Sequence, residues 1–276
     1  MATTSEERYW RNRTVRDAQA AVDKGAAHLH NGMRGEYMRV YSDLRARLLA
    51  LYAEITENGA ENMTANELYK FNRYYELLNE TAAQLRTIYN YNVAGLDSGL
   101  TAAYNSTTAI VNDGLGHIGF SVAPNMVAVN EAGAAKEFSK RVWCADGLTA
   151  VDRVAANMEK LQRTVQSGLI DCVVRGASKD ELVRTLRARF DVSFNEADRL
   201  ARTELQHIYG QATLDSYQKA DVKQYKYLAT EDGRTSDMCR ALDGRTFMLS
   251  QAVEGENYPL MHVNCRCTTV PIVDPF

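Results

Sequence analysis

Three thiols and one imidazole near the end of the sequence are the residues best suited to chemistry: Cys239, His262, Cys265 and Cys267. They are the donor set of a structural zinc site, in which sulfurs and a ring nitrogen fill a tetrahedron. The surrounding residues are short of apolar side chains and rich in turn formers, a setting in which a metal supplies missing folding energy. The spacing is not that of a standard zinc finger. Cys265 and Cys267 are two apart, so on a strand both face one side and share an ion only under strain. The alternative is a group of buried thiols beside a histidine hydrogen-bonded in a tight turn.

The same residues allow a catalytic reading, with Cys239 or Cys265 as nucleophile and His262 as its base. No orienting residue or oxyanion loop accompanies them. The H-x-E and P-C-x-x-C pair of a zinc deaminase is absent, and no histidine follows His262. Neither a P-loop, nor G-x-S-x-G, nor H-E-x-x-H occurs. Gly114, Gly116 and Gly119 match G-x-G-x-x-G by letters, but no strand precedes them. The expectation is that the chain is not an enzyme.

Something must position these groups, and most of the chain reads as helix. Only four of 276 residues are proline, and three of those follow residue 258. Met33, Tyr37, Val40, Tyr41, Leu44, Leu48, Leu51 and Ile55 recur at helical spacing within residues 18–57, and Asn58-Gly59 is a stop signal. Thr64 to Glu67 is a capping box that opens a second helix. Its stripe is Leu68, Phe71, Tyr75, Leu78, Ala82, Leu85 and Tyr89, and Gly95 ends it. A third helix spans about 96–115. The glycines and Pro124 of residues 114–124 mark a loop.

Residues 148–174 form the next helix, with Gly176 just past its end. Ser178 to Glu181 caps a short helix that reaches Arg189. Ser193 to Glu196 opens another that reaches Lys219 and carries Glu204 and His207 three apart on one face. Beyond Asp221 the pattern alternates, so residues 223–230 read as a strand. Thr235 or Ser236 caps a short helix, Asp243-Gly244 makes a hairpin turn, and residues 268–273 close as a strand.

Composition narrows the function further. The net charge is −3 and the pI about 6.0, so no global basic field marks a nucleic-acid binder. Arg184, Arg187 and Arg189 form a local basic run with Arg175 and Lys179, offset by Asp180, Glu181 and Asp191. It reads either as a solvated helix face or as a weak, salt-sensitive phosphate contact. Five cysteines in a long chain argue against a disulfide scaffold. Neither a membrane anchor nor a secretory signal is expected.

The series from Ala201 to Pro271 resembles the C-terminal domain of the phage head morphogenesis family, the Mu F-like minor head proteins. The matching pieces are Ala201-Arg202-Thr203-Glu204, Tyr217, the run Asp232-Gly233-Arg234 through Cys239, Leu242-Asp243-Gly244, Pro259, and His262-Val263-Asn264-Cys265-Arg266-Cys267. The family more often has proline where Val263 stands. The resemblance marks Arg202, Glu204, Asp232, Arg234, Asp243, Gly244, Asn264 and Arg266 as motif positions. It implies a minor capsid protein of a tailed phage, built into the prohead in few copies near the portal. That protein acts in head assembly and in DNA packaging or ejection. Its partners are then the portal protein, other head proteins and non-specific DNA. Its location is the capsid interior, after assembly in the host cytoplasm. The alternative is a metal-dependent enzyme built on the Cys/His cluster and delivered to the host.

The expected class is α+β, predominantly α, with long N-terminal helices before a small C-terminal α+β domain that has a short sheet. The expected segments are a helical arm or bundle at 1–116, a loop-rich connection at 117–147, a helical segment at 148–220, and the Cys/His unit at 221–276. The motif region covers 201–271.

Overall fold

The computed structural model describes residues 4–57, 72–122, 138–144 and 146–273. In chain order the elements are α1 (Ser5–Tyr9), a π-helical turn (Trp10–Val15), α2 (Arg16–Glu57), α3 (Asn72–His117), α4 (Ala150–Val174), and α5 (Lys179–Lys219). There follow β1 (Gln224–Leu228), α6 (Asp237–Leu242), β2 (Thr246–Met248), a 3-10 turn (Leu249–Gln251) and β3 (Thr268–Pro271). The class is α+β and predominantly α, as expected. The Asn58-Gly59 stop, the Thr64 capping box and Pro124 lie outside the described residues. No helix among the described residues is long and apolar enough to cross a membrane.

Two compact units emerge, neither a continuous stretch of chain. One comprises Leu29–Gly95 and Val142–Leu200; the other comprises Met1–His28, Leu96–Arg141 and Ala201–Phe276.

The first unit is helical. Met33, Tyr37, Val40, Leu44, Leu48 and Leu51 are buried on α2, the face that their spacing predicts. Tyr37 meets Phe190 and Phe194 of α5 edge-on, with ring centroids 6.4 and 5.6 Å apart. Two helix ends obey their local signals. Thr149 Oγ1 accepts from the Asp152 amide at 3.1 Å while the Asp152 carboxylate accepts from the Thr149 amide at 2.9 Å, a reciprocal cap on α4. At the other end Gly176 has φ +62°, and the Ala177 amide bonds back to the Cys172 carbonyl at 2.8 Å.

Three expectations are corrected here. Gly95 does not end a helix: α3 runs straight through it. A Cβ at Gly95 would stand 3.4 Å from the Leu29 side chain, so the glycine serves close packing on α2. The buried stripe of α3 is Leu77, Thr81, Leu85, Ile88, Asn92, Leu96 and Leu100, whereas Tyr75 is exposed and Leu78, Ala82 and Tyr89 are half-buried. Ser193 opens no helix, because α5 is continuous from Lys179 to Lys219. Its hydroxyl donates to Asn157 Oδ1 at 2.9 Å and its carbonyl accepts from Asn157 Nδ2 at 2.9 Å, so the residue ties α5 to α4.

The second unit holds the sheet, ordered β2-β1-β3 and antiparallel throughout. Tyr225 pairs with Phe247 on one side and Pro271 on the other. Along β1 burial alternates, with Tyr225 and Tyr227 inside. Tyr225 joins a core of Trp10, Val111, Leu115, Tyr217, Val222, Tyr258 and Val270.

The Tyr227 amide and carbonyl bond to Arg245 and Gly244, on the β2 side, and the Ile272 amide bonds to the Gln224 carbonyl. Thr269, opposite Tyr227, therefore aims its own carbonyl off the outer edge of β3. That carbonyl is buried and needs donors. Trp10 Nε1 supplies one at 3.1 Å and Tyr217 the other at 3.2 Å. Pro271 also faces the outer edge, where its missing N–H costs no ladder bond. Lys226 reaches back to Glu7 at 2.6 Å. Asp243-Gly244 does turn the chain, with φ +73° at Gly244, but it joins α6 to β2 and not two strands.

Space around the π-helical turn is tight. A Cβ at Gly114 would lie 2.3 Å from Thr14 Oγ1 and 3.0 Å from the Trp10 ring, and both residues are buried. Gly114→Ala is expected to cost about 1–3 kcal/mol by overpacking. Gly116 has open space around it, so Gly116→Ala is expected to stabilise by up to about 1 kcal/mol through helix propensity. Denaturant midpoints of the two variants check both signs.

Candidate metal centre

The cluster is built from two short segments after β1. Ser236 caps α6: its Oγ accepts from the Cys239 amide at 3.3 Å, which fixes Cys239 in the first turn with its thiol buried. Before it, the Asp232 carboxylate accepts from the Arg234 amide at 2.8 Å, and Thr235 Oγ1 accepts from the Asp232 amide at 2.9 Å and donates to the Thr230 carbonyl. The second segment turns at residues 262–265, where the Cys265 amide bonds to the His262 carbonyl at 3.0 Å. Asn264 has φ +61°, a left-handed conformation that asparagine tolerates better than most residues. A four-residue turn with positive φ at its third position favours proline at its second, which is the place of Val263.

Two clips join the segments. Arg266 Nη2 lies 2.8 and 2.7 Å from the two Asp232 carboxylate oxygens, and Thr230 Oγ1 donates to the Arg266 carbonyl at 2.7 Å. Asp243 Oδ1 accepts from the Ala229 amide at 2.8 Å. The motif residues Asp232, Arg234, Asp243, Gly244, Asn264 and Arg266 thus shape one pair of loops.

Those loops bring Cys239, His262 and Cys265 together. Cys239 Sγ is 3.4 Å from His262 Nε2 and 3.9 Å from Cys265 Sγ, and all three donor atoms lie within 4.8 Å of one another. His262 Nδ1 donates to the Val263 carbonyl at 2.9 Å, so in the neutral ring Nε2 presents its lone pair to the thiols. Such a group could hold a metal ion.

Cys267 stands outside that group. The segment 265–267 precedes β3 and is not a strand, so its two thiols are not placed by strand alternation. Cys267 hydrogen-bonds to Cys265, which lowers the Cys265 thiol against the opposing effect of burial. The Cys267 thiol is raised by that same bond and by burial. Two neighbours lacked any chemical signal in the sequence. Ser236 Oγ is 3.0 Å from His262 Nε2, and the buried Tyr227 hydroxyl is 3.6 Å from Cys239 Sγ.

The remaining candidates lie elsewhere. Arg202 is exposed and Glu204 buried on α5. His207 pairs with Glu254 at 2.6 Å, and Glu254 also accepts from Gln211 at 3.3 Å. In the helical unit, Arg184 and Arg189 are exposed, while Arg187 is half-buried, bonds Asp191 at 3.0 Å and stacks over Tyr41.

Comparison with known proteins finds a family match over part of the chain. Residues 163–270 match the family described as phage Mu protein F like protein. This segment contains the motif pieces from Ala201 to Cys267, and the resemblance seen in them is to the same family. An NAD(+)--arginine ADP-ribosyltransferase EFV of Enterococcus faecalis is 24% identical over 95% of the chain, which covers 55% of that relative. An uncharacterized protein of Haemophilus influenzae is 23% identical over 40% of the chain, covering 25% of the relative. The chain thus spans about half of the first relative and a quarter of the second. No solved structure matches.

The Asp232–Arg266 clip is expected to be acid-sensitive. Arg266, then the Arg234 amide, holds the Asp232 carboxyl below the usual range. The stability it adds is full above the ordinary aspartate value of about 4 and is lost as pH falls through the lowered value. Asp232→Asn removes this pH dependence, which NMR of the Arg266 side chain and acid unfolding curves read directly.

Proposed function

We propose that this chain is a minor head protein of a tailed phage. It enters the prohead in few copies near the portal, lies inside the capsid, and acts in assembly and in DNA packaging or ejection. The observation that carries this reading is the family match over residues 163–270, the region in which Asp232 and Arg266 clip the two loops together. In this reading the Cys/His cluster holds zinc as a structural ion that ties α6 to the loop before β3. Zinc suits the donor set, because two thiolates and an imidazole are soft to borderline ligands. The exposed Arg184 and Arg189 contact DNA phosphates non-specifically.

The chain is not an enzyme in this reading. The transferase relative supplies a second one, since its match runs over most of this chain. The activity in that relative's name belongs to a protein nearly twice as long.

Two measurements separate these readings. Mass spectrometry of purified proheads and mature particles, quantified against the portal protein, is expected to find this chain at a few copies per particle. Absence from both particles defeats the head-protein reading. The purified chain, incubated with NAD⁺ and an arginine acceptor, is expected to transfer no ADP-ribose; turnover makes the second reading the correct one.

A further inference from the structure

The zinc reading leaves open how many ligands the chain supplies, and the geometry answers that. We propose that Cys239, His262 and Cys265 are the complete protein ligand set. The fourth position then opens to solvent on the Ser236 side and takes a small exogenous donor, namely water or a soluble thiol. This inference rests on the zinc reading above and specifies its coordination.

Both separations from Cys239 Sγ already match tetrahedral spacing. Zinc–sulfur bonds of about 2.3 Å and zinc–nitrogen bonds of about 2.0–2.1 Å put two sulfurs about 3.8 Å apart, and a sulfur and a ring nitrogen about 3.5 Å apart. The observed separations are 3.9 Å for Cys239 Sγ to Cys265 Sγ and 3.4 Å for Cys239 Sγ to His262 Nε2. The imidazole ring is also held in orientation. Nδ1 of His262 is committed to the Val263 carbonyl, the usual arrangement for a ligating histidine.

Cys267 meets only part of the triad. Its thiol hydrogen-bonds to Cys265, yet it does not join the three donors that all lie within 4.8 Å of one another, whereas a fourth tetrahedral thiolate belongs about 3.8 Å from each sulfur. Its backbone is pinned on both sides. The Arg266 carbonyl accepts from Thr230 and the Arg266 side chain holds Asp232, while Thr268 pairs with Leu228 in the sheet. Bringing Cys267 in would strain both attachments. The His262 side of the triad lies at the surface. His262, Val263 and Asn264 are exposed, and the half-buried Ser236 hydroxyl lies 3.0 Å from Nε2. A donor arriving from solvent meets this side without disturbing the core.

The test uses the full chain loaded with Zn²⁺ for stoichiometry and with Co²⁺ for spectroscopy. The expected result is one ion per chain and a tetrahedral cobalt spectrum. Cys267→Ser is expected to leave the sulfur-to-cobalt charge-transfer intensity unchanged. Added 2-mercaptoethanol is expected to shift the ligand-field bands saturably. Loss of about one third of the charge-transfer intensity in Cys267→Ser, with no response to the added thiol, overturns the proposal in favour of a closed four-ligand site. Failure of the wild-type chain to retain either ion defeats the zinc reading itself, a distinguishable outcome. Because Cys239→Ser and Cys265→Ser remove buried groups, His262→Ala at the surface is the safer ligand variant. It is expected to keep the circular dichroism of the wild type and to bind Co²⁺ at least tenfold more weakly; undiminished affinity removes His262 from the ligand set and overturns the proposal.

Discussion

The sheet-bearing unit depends on one buried acceptor, the Thr269 carbonyl. Antiparallel pairing turns it away from β1, and an outer edge is where a sheet is most exposed to wrong partners. Trp10 and Tyr217 fill its two lone pairs with hydrogen bonds while their rings seal the edge against water. Removing either ring would uncover a carbonyl whose desolvation is already complete, a larger penalty than the net worth of one hydrogen bond. The Cys/His loops hang from this arrangement, since residues 262–267 lead directly into β3.

The loops themselves contain little that is apolar. Their order comes from directed polar contacts: Asp232 with Arg266, Asp243 with the Ala229 amide, Thr230 with the Arg266 carbonyl. Such contacts are individually modest and exposed, so the pair of loops gains most from a bond that joins them at the centre. The convergence of two thiols and a ring nitrogen at that centre is what distinguishes this region from an ordinary surface turn.

Much of this was legible in the sequence, for physical reasons. The stripe from Met33 to Leu51 is apolar without interruption, so its period is visible. Ser178 and Gly176 act locally, and local signals survive into the fold. The phase of α3 was hidden because Thr81 and Asn92 occupy its buried stripe and break the apolar pattern. Ser193 carried a capping signature, yet its hydroxyl is engaged by Asn157, a partner 36 residues away. The ligand types were plain from composition. Which of them converge was not, because Cys267 is placed by the turn at Asn264 and by the start of β3. Tyr227 and Ser236 enter the site only through three-dimensional proximity.

The docking of Trp10 on Thr269 also has a temporal side. The two residues are separated by 259 positions, so on the ribosome the indole emerges long before its acceptor exists. The helical unit ends at Leu200 and can consolidate while the remaining residues are still being made. The residues around Trp10 must wait through that interval with their apolar surface uncovered. The sheet-bearing unit is therefore the later and more vulnerable product of translation.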